Sequence, residues 1–391
     1  MKEVAFILDN GAHVAKAGFS IGDPKLVPNC ITKAKSERRR PFIGNQIEEC
    51  RDASGLFYIL PFQKGYLVNW DIQKNVWDYI FSKECCQTTL NDMPIVVTEP
   101  LFNFPAVQEA MMEIFFEEYE CRSLLQINAA SLSCYHYRTK HPEMKACMVV
   151  DSGYSFSHVV PFINGIKVKE GIRRIDVGGK LLTNHLKEII SYRQLHVMDE
   201  TYVINQVKED SCFVSQNFVK DMKRAKRNID ANSIVKDYVL PDYTTLKRGF
   251  LKDPEASSEH QTLRLNNERF SVPEILFQPT DVGIKQMGIP EAIIDSLKAC
   301  EPEVWPHLLS NIVLTGGNTK FPGFRDRLFS DVRSLAPSEF AVNVTLPTNP
   351  DTYAWEGGKL LSDDVVFRNL VVTRNDYEEE GSTSCCQRFD H

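Results

Sequence analysis

The chain reads as an α/β protein, and three observations predict it. Apolar runs of strand length alternate with segments of helical period. Two of the runs end alike, Ala5-Phe-Ile-Leu-Asp9-Asn10-Gly11 at the start and Ala146-Cys-Met-Val-Val-Asp151-Ser152-Gly153 further on. A third run, Ile312-Val-Leu-Thr315-Gly316-Gly317-Asn318, ends in paired glycines. Glycine directly after a strand lets the backbone approach a ligand closely. Backbone N–H groups exposed in such a turn cradle phosphate, and an Asp at the strand end can hold a metal-bound water beside it. One Asp-x-Gly is a weak sign. Two equivalent ones with a Thr-Gly-Gly suggest two facing phosphate loops and a third loop converging on one nucleotide.

Taken in order, residues 1–20 read as a β-hairpin, and residues 31–52 as a polar loop with a basic run at Lys33, Lys35 and Arg38 to Arg40. Asp71 to Phe81 has helical spacing at Ile72, Val76, Tyr79 and Ile80. Ile95 to Thr98 reads as a strand. Pro105 to Glu118 is amphipathic, with Val107, Met111, Ile114 and Phe115 on one face. A linking helix is expected around Leu124 to Tyr135. Lys180 to Ser191 and Thr201 to Lys226 carry helical stripes, the second through Ile204, Val207, Val214, Phe218 and Met222. Lys223, Arg224, Lys226 and Arg227 suit the negative end of a helix dipole. Residues 247–262 read as an exposed polar loop. Pro290 suits the first turn of a helix through Ile293, Ile294 and Leu297. The acidic segment from Tyr377 reads as a mobile tail.

Composition narrows the function. With 391 residues, 43% hydrophobic and 25% charged, the chain can fill two or more sizeable cores. A net charge of −7 argues against coating nucleic acid by bulk charge. The apolar start is too short for a signal peptide, and no run approaches the ~20 apolar residues of a membrane span. Eleven cysteines without any Cys-x-x-Cys read as small buried residues of a reducing, cytosolic or nuclear compartment. No Walker A loop, G-x-G-x-x-G or H-E-x-x-H occurs. Gly153-Tyr-Ser155-Phe-Ser fails the nucleophile-elbow pattern at its fifth position. His158 reads first as a satisfied core histidine.

The strand-Asp-x-Gly pair followed by Thr-Gly-Gly resembles the superfamily of actin, sugar kinases and heat-shock ATPases. Neighbouring segments narrow this to the actin family. Lys16-Ala-Gly18-Phe19, Gly65-Tyr-Leu-Val-Asn69-Trp70-Asp71, Thr98-Glu99-Pro100, Asn267-Glu268-Arg269-Phe270, Phe277-Gln278-Pro279, Pro322-Gly323-Phe324-Arg325-Asp326-Arg327 and Trp355-Glu356-Gly357-Gly358 are similar to actin's segments in the same order. The resemblance spans nearly the whole chain. It implies the actin-like, duplicated ribonuclease-H-like fold, with a nucleotide cleft between two halves. Residues 1–145, with a small subdomain at about 30–70 and a C-terminal return at about 345–391, would form the first half. Residues 146–344, with the polar insertion at 247–262, would form the second.

The resemblance also implies site residues. Asp9, Asn10, Gly11 and Lys16 would form phosphate loop one, and Asp151, Ser152 and Gly153 loop two. Gly179, Lys208, Glu209, Gly316 and Gly317 would surround ribose and adenine. The ligand implied is ATP or ADP with magnesium, the metal held by Asp9 and Asp151 through water. Departures from actin are expected to matter. Tyr154 replaces an acid, Asn128 a water-positioning glutamine, Asp351 a lysine, and Ala12 and His13 a serine and a glycine. A histidine forced to φ > 0 would strain loop one. The subunit-gripping loop is short, basic and without apolar residues, and Asp363 and Asp364 fall in actin's apolar partner groove. These departures imply a protein that binds nucleotide with negligible hydrolysis and does not form filaments.

Further segments, Ser54-Gly55-Leu56-Phe57-Tyr58, Gly178-Gly-Lys-Leu-Leu-Thr-Asn-His and Thr373-Arg-Asn-Asp-Tyr, resemble a nuclear actin-related branch of the family. That branch implies a structural subunit of an SWR-type chromatin-remodelling complex, which exchanges a histone for its variant. Its expected partners are the motor subunit, a zinc-HIT subunit, the nucleosome or histones, and DNA, in the nucleus with some cytoplasmic pool. A filament-forming actin and an active ATPase or phosphotransferase are the competing readings.

Overall fold

The first Asp-x-Gly segment ends the strand Phe6–Asp9, buried along its whole length. Val14–Phe19 returns antiparallel to it, so the expected hairpin forms, and Asp9 faces Lys16 across the ladder. Pro94–Glu99 lies parallel on its other side. The sheet runs Val372–Thr373, Ser123–Asn128, Pro94–Glu99, Phe6–Asp9, Val14–Phe19, Lys25–Pro28. The second Asp-x-Gly segment repeats this arrangement. Ala146–Ser152 has Ser157–Ile163 antiparallel on one side and Ile312–Thr315 parallel on the other. Both central strands are apolar up to their closing Asp, as suits strands buried on both faces. The computed structural model describes residues 4–35, 40–52, 55–227, 233–253 and 260–389.

Each sheet carries its own core. Phe6, Ile7, Val76, Trp77, Ile95, Phe115 and Trp355 fill the first, and Met148, Val150, Leu186, Ile204, Ile293 and Leu314 the second. A smaller cluster lies between the two, where Tyr137, Cys147, Val149 and Tyr353 meet. The helix Tyr353–Ser362 packs on Ala129–Lys140 backbone to backbone. A Cβ at Gly357 would lie 2.1 Å from the Leu132 carbonyl oxygen, so only glycine fits there. Trp355 donates from Nε1 to the Ile7 carbonyl oxygen at 3.0 Å, tying this late helix to the first strand.

Several helices fall where the spacing places them: Trp70–Phe81, Gly179–Arg193, and Ile289–Lys298 with Pro290 in its first turn. Five expectations need correction. The linking helix is half strand, since Ser123–Asn128 pairs with Pro94–Glu99 before Ala129–Lys140 begins. A short apolar run does not by itself distinguish the two states. The 201–226 stripe is two helices, Thr201–Ser211 and Phe218–Ala225, with Val214 in the connection. Within 31–52, where 36–39 lie outside the described residues, the expected loop is largely a small sheet: Ile31–Lys33 pairs with Pro41–Ile43 and Phe57–Ile59, and a 3₁₀ turn spans Gly44–Glu49. Of the 247–262 segment, residues 254–259 lie outside the described residues, and the flanking Phe250–Leu251 and the start of Thr262–Leu265 join a three-stranded sheet on Lys236–Val239. The tail from Tyr377 is docked. Thr373 caps the helix Arg374–Gln387 through Asp376, and Tyr377 stacks on Phe116 at 4.6 Å.

The helix expected through Glu118 also changes character, becoming a π turn at Ile114–Glu118. The wider turn lets the adjacent Phe115 and Phe116 both reach the core.

Candidate functional site

Where the ends of the two central strands face each other lies a cavity of about 1090 Å³. Asp9 stands on one wall. Its carboxylate accepts from Thr98 Oγ1 at 2.7 Å and pairs with Lys16 Nζ at 2.9 Å. Thr98 Oγ1 in turn accepts from the Asn10 N–H at 2.9 Å, which pins the start of the glycine turn. The Asn10 side chain points inward, accepting from Asn29 at 3.1 Å and Trp77 at 3.4 Å. Asn10 therefore shapes the loop from behind. His13 is not among the residues with positive φ, so the strain expected there does not arise.

Asp151 stands on the opposite wall. Burial and the neighbouring Asp9 carboxylate push its carboxyl up to about 6, against the opposing pull of Lys16. Lys16 itself is burdened by burial, yet Asp9, Asp151 and Asp351 together hold it above the usual lysine range. The chain has placed one ammonium among three carboxylates. Gly316 closes this corner at φ +88°. A Cβ on it would lie 2.3 Å from the Ser152 carbonyl oxygen and 2.8 Å from Asp151 Oδ1. Gly317 and Gly153, by contrast, have open space over their Cα atoms, with no atom within 3.5 Å of a Cβ position.

Eleven of the twelve sequence-predicted residues line the cavity; Ser152 does not. Its hydroxyl is fully buried, 2.7 Å from Ser157 Oγ, and accepts from Asn318 Nδ2 at 3.1 Å. Asn318 also donates to the Gly153 carbonyl at 2.7 Å. Ser152 thus holds loop two from inside. At the far end, Lys208 is buried and donates to Asn205 Oδ1 at 2.8 Å, Thr183 Oγ1 at 3.0 Å and the Gly179 carbonyl at 3.3 Å, three neutral oxygens. Burial lowers its affinity for its proton. Glu209 is exposed at the rim and held by Asn205 at 2.8 Å. Gly179 opens the helix Gly179–Arg193, whose first amides donate to the Gly153 and Tyr154 carbonyls at 3.0 and 2.9 Å.

The departures from the actin pattern gather here. His13 and Tyr154 stack face to face across the cavity, ring centres 4.5 Å apart. Asn128 is committed: its Oδ1 accepts from Lys167 at 2.8 Å, and its Nδ2 faces the Glu99 and Pro100 carbonyls at 3.4 Å. Asp351 pairs with Lys320 at 3.1 Å. His158 is not the satisfied core histidine expected. It lies within the strand Ser157–Ile163, buried against Phe156, and its Nε2 has no hydrogen-bond partner. Burial pushes that imidazole down to about 3, so it is neutral.

The family model described as actin matches residues 1–390. The chain belongs to the actin family. It is 50% identical over 398 residues to a Drosophila melanogaster protein named actin-related protein 6, covering 99% of this chain and 100% of that one. A protein of the same name from Oryza sativa subsp. japonica is 36% identical, covering 98% of each chain. Its Arabidopsis thaliana namesake is 34% identical, covering 98% of this chain and 99% of its own. Actin-family membership accounts for the duplicated sheet: each half supplies one Asp-x-Gly turn, and the cleft is the seam between them. Likeness to relatives of the actin-related protein 6 type marks this chain as an actin-related protein of that type. Among the described residues, no helix is long and apolar enough to cross a membrane.

Residues the sequence reading passed over turn out to hold the site. Thr98 and Asn318 fix the two loops; both stand in the quoted motifs, but residue type alone assigned them no role. At the mouth, the small subdomain folds across onto the second half. Both Glu200 carboxylate oxygens accept the Gly55 N–H at 3.1 Å, and Lys35 pairs with Asp199 at 3.4 Å. Ala34, Phe42, Ile47 and Leu56 pack with Tyr202 and Tyr243. Arg174 crosses lower down, donating to Tyr66 Oη and the Lys64 carbonyl at 2.8 Å each. Of the basic run, Lys33 is exposed, Arg40 pairs with Glu49, and Arg38 lies outside the described residues with Arg39.

Proposed function

We propose that this chain is a non-filamentous nuclear actin-related protein and a structural subunit of an SWR-type chromatin-remodelling complex. In it, Mg-ATP or Mg-ADP in the cleft clamps the two halves together. The observation that carries the reading is full-length likeness to relatives named actin-related protein 6. The motor subunit, a zinc-HIT subunit and the nucleosome are the proposed partners, with DNA a possible contact of the assembled complex. Purification of the tagged native protein, with identification of what accompanies it, tests this. Co-purification with a remodeller motor in equal amount is expected, and loss of the protein should lower variant-histone deposition. Fractionation as a lone cytosolic monomer would overturn it.

The cleft suits a nucleotide with a divalent metal. Asp9 and Asp151 would hold the ion through water, Lys16 would meet phosphate, and Gly153 and Gly317 leave room for close approach, while Gly11 has the Val14 carbonyl oxygen 2.6 Å from where a Cβ would sit. Among the described residues, no cluster of three or more His, Cys, Asp or Glu could hold a metal by itself. Magnesium needs no such cage, since it keeps several waters and leans on phosphate. Negligible turnover is part of the proposal. In phosphoryl transfer to water, positioning and charge stabilisation supply nearly all of the catalysis, and the Asn128 amide is already committed to Lys167, Glu99 and Pro100. Ligand that binds only the folded state stabilises it by mass action. A raised melting temperature with Mg-ATP and no phosphate release over hours is expected. Turnover on the order of 1–100 per second, as in kinases, would refute the clamp.

A further inference from the structure

We propose that His13 and Tyr154 set how tightly the cleft takes a nucleoside phosphate, by filling the space between the two glycine turns with a stacked pair of rings. This rests on the nucleotide reading of the cleft. His13 follows Gly11 by two residues in the first half, and Tyr154 follows Gly153 directly in the second. Their rings meet at 4.5 Å with planes only 16° apart, and both residues line the cavity.

The surroundings point the same way. Tyr154 backs onto Gly179, where a Cβ would sit 3.6 Å from Tyr154 Cδ2. His13 lies within electrostatic reach of both Lys16 and Lys208, and burial together with these two cations pushes its imidazole down to about 4. The ring is therefore neutral, with two ammonium groups in the same cavity. Those groups are what an anion entering the cleft would seek. A phosphate chain that spans both turns has to part the rings before it reaches Lys16. The proposed base and ribose residues Gly179, Lys208, Glu209, Gly316 and Gly317 border the stack only where Tyr154 backs onto Gly179 and His13 feels Lys208, so a nucleoside makes a smaller demand on the rings than a phosphate chain.

An aromatic pair of this geometry carries stabilisation beyond its buried area, and losing it on entry weakens binding about two- to tenfold. Opening the stack in advance should return that factor.

The test is calorimetric titration of the full chain with Mg-ATP and, separately, with adenosine. Wild type is compared with Tyr154→Ala, His13→Ala, the double variant and Tyr154→Phe. Each alanine variant is expected to bind Mg-ATP about two- to tenfold more tightly. The double variant should gain no more than the better single, because either change breaks the same contact. Tyr154→Phe should behave as wild type, and adenosine binding should move clearly less than Mg-ATP binding. Should an alanine variant fail to fold, Tyr154→Ser and His13→Asn take its place. Unchanged or weaker Mg-ATP binding in the opened variants, with wild type still binding, overturns the proposal and leaves the nucleotide reading intact. Equal tightening of adenosine overturns it too, since the rings would then lie on the path of the base. If neither wild type nor any variant binds Mg-ATP, the nucleotide reading falls and this inference falls with it.

Discussion

Replacing Asp151 by Asn should stabilise the ligand-free chain, and the gain should depend on pH in a defined way. Asp151 is pushed from 3.8 to about 6 by burial and by Asp9. A carboxyl raised in the folded state binds its proton more tightly there than in the unfolded chain. Its favourable contribution is complete below pH 3.8 and is lost as pH rises through about 6. Above that, keeping it ionised costs roughly 3 kcal/mol, at 1.36 kcal/mol per pKa unit. By pH 4.5 the same linkage leaves about 1 kcal/mol. Asparagine carries no charge at either pH, so the variant should gain up to ~3 kcal/mol at pH 7.5 and ~1 kcal/mol at pH 4.5. The opposing pull of Lys16 is already contained in both figures. With an unfolding entropy of about 2.1 cal/mol/K per residue, the gain at pH 7.5 is only about 4 °C in melting temperature, so urea titration with a metal chelator is the better assay. The same substitution should remove most of the stabilisation by Mg-ATP, because it removes a carboxylate proposed to hold the metal's waters. A ligand-free variant less stable than wild type at pH 7.5, or a gain that does not shrink towards pH 4.5, would refute the reasoning.

Three further outcomes follow from single contacts. Gly316→Ala places a Cβ 2.3 Å from the Ser152 carbonyl at a φ of +88°; a loss of at least ~1–3 kcal/mol is expected, and a neutral variant in thermal denaturation would contradict the geometry. Glu200→Ala removes both acceptors of the Gly55 N–H. Charge-assisted hydrogen bonds of this kind contribute ~1.5–3 kcal/mol, so hydrogen exchange should quicken across Gly55–Ile59 while the second half stays protected; unchanged exchange there would show that the mouth contact does not hold the subdomain. Sedimentation in magnesium and salt at tens of micromolar should leave the chain in the supernatant. Lys33 to Arg40 carries five basic residues, one acid and no apolar residue larger than alanine, so stacked copies would repel; an ordered salt-induced pellet would count against this.

Much of this protein was legible in its sequence because the fold is duplicated. Strand-Asp-x-Gly read twice marks two central strands, and Thr-Gly-Gly marks the strand parallel to the second. Each such signal is local: a run of apolar residues fixes burial, and a glycine fixes where the backbone turns. The resemblance to actin likewise named Asp9, Lys16, Asp151, Lys208 and Gly316, and all five line the cavity. What the sequence could not decide depended on partners distant in the chain. Leu124 to Asn128 became strand because Pro94–Glu99 offered an open edge to pair with. Ile31–Lys33 and Pro41–Ile43 became part of a small sheet because Phe57–Ile59 completed it and Tyr202 and Tyr243 covered its apolar side. The acidic tail docked because Phe116 presented a ring for Tyr377. Ser152 left the cleft wall because Ser157 and Asn318 claimed its hydroxyl. His13 and Tyr154, 141 positions apart in the chain, could be seen to touch only once both sheets were in place. Local propensity and pattern act within a few residues, whereas pairing, stacking and hydrogen-bond competition are settled by whichever distant group arrives at contact distance.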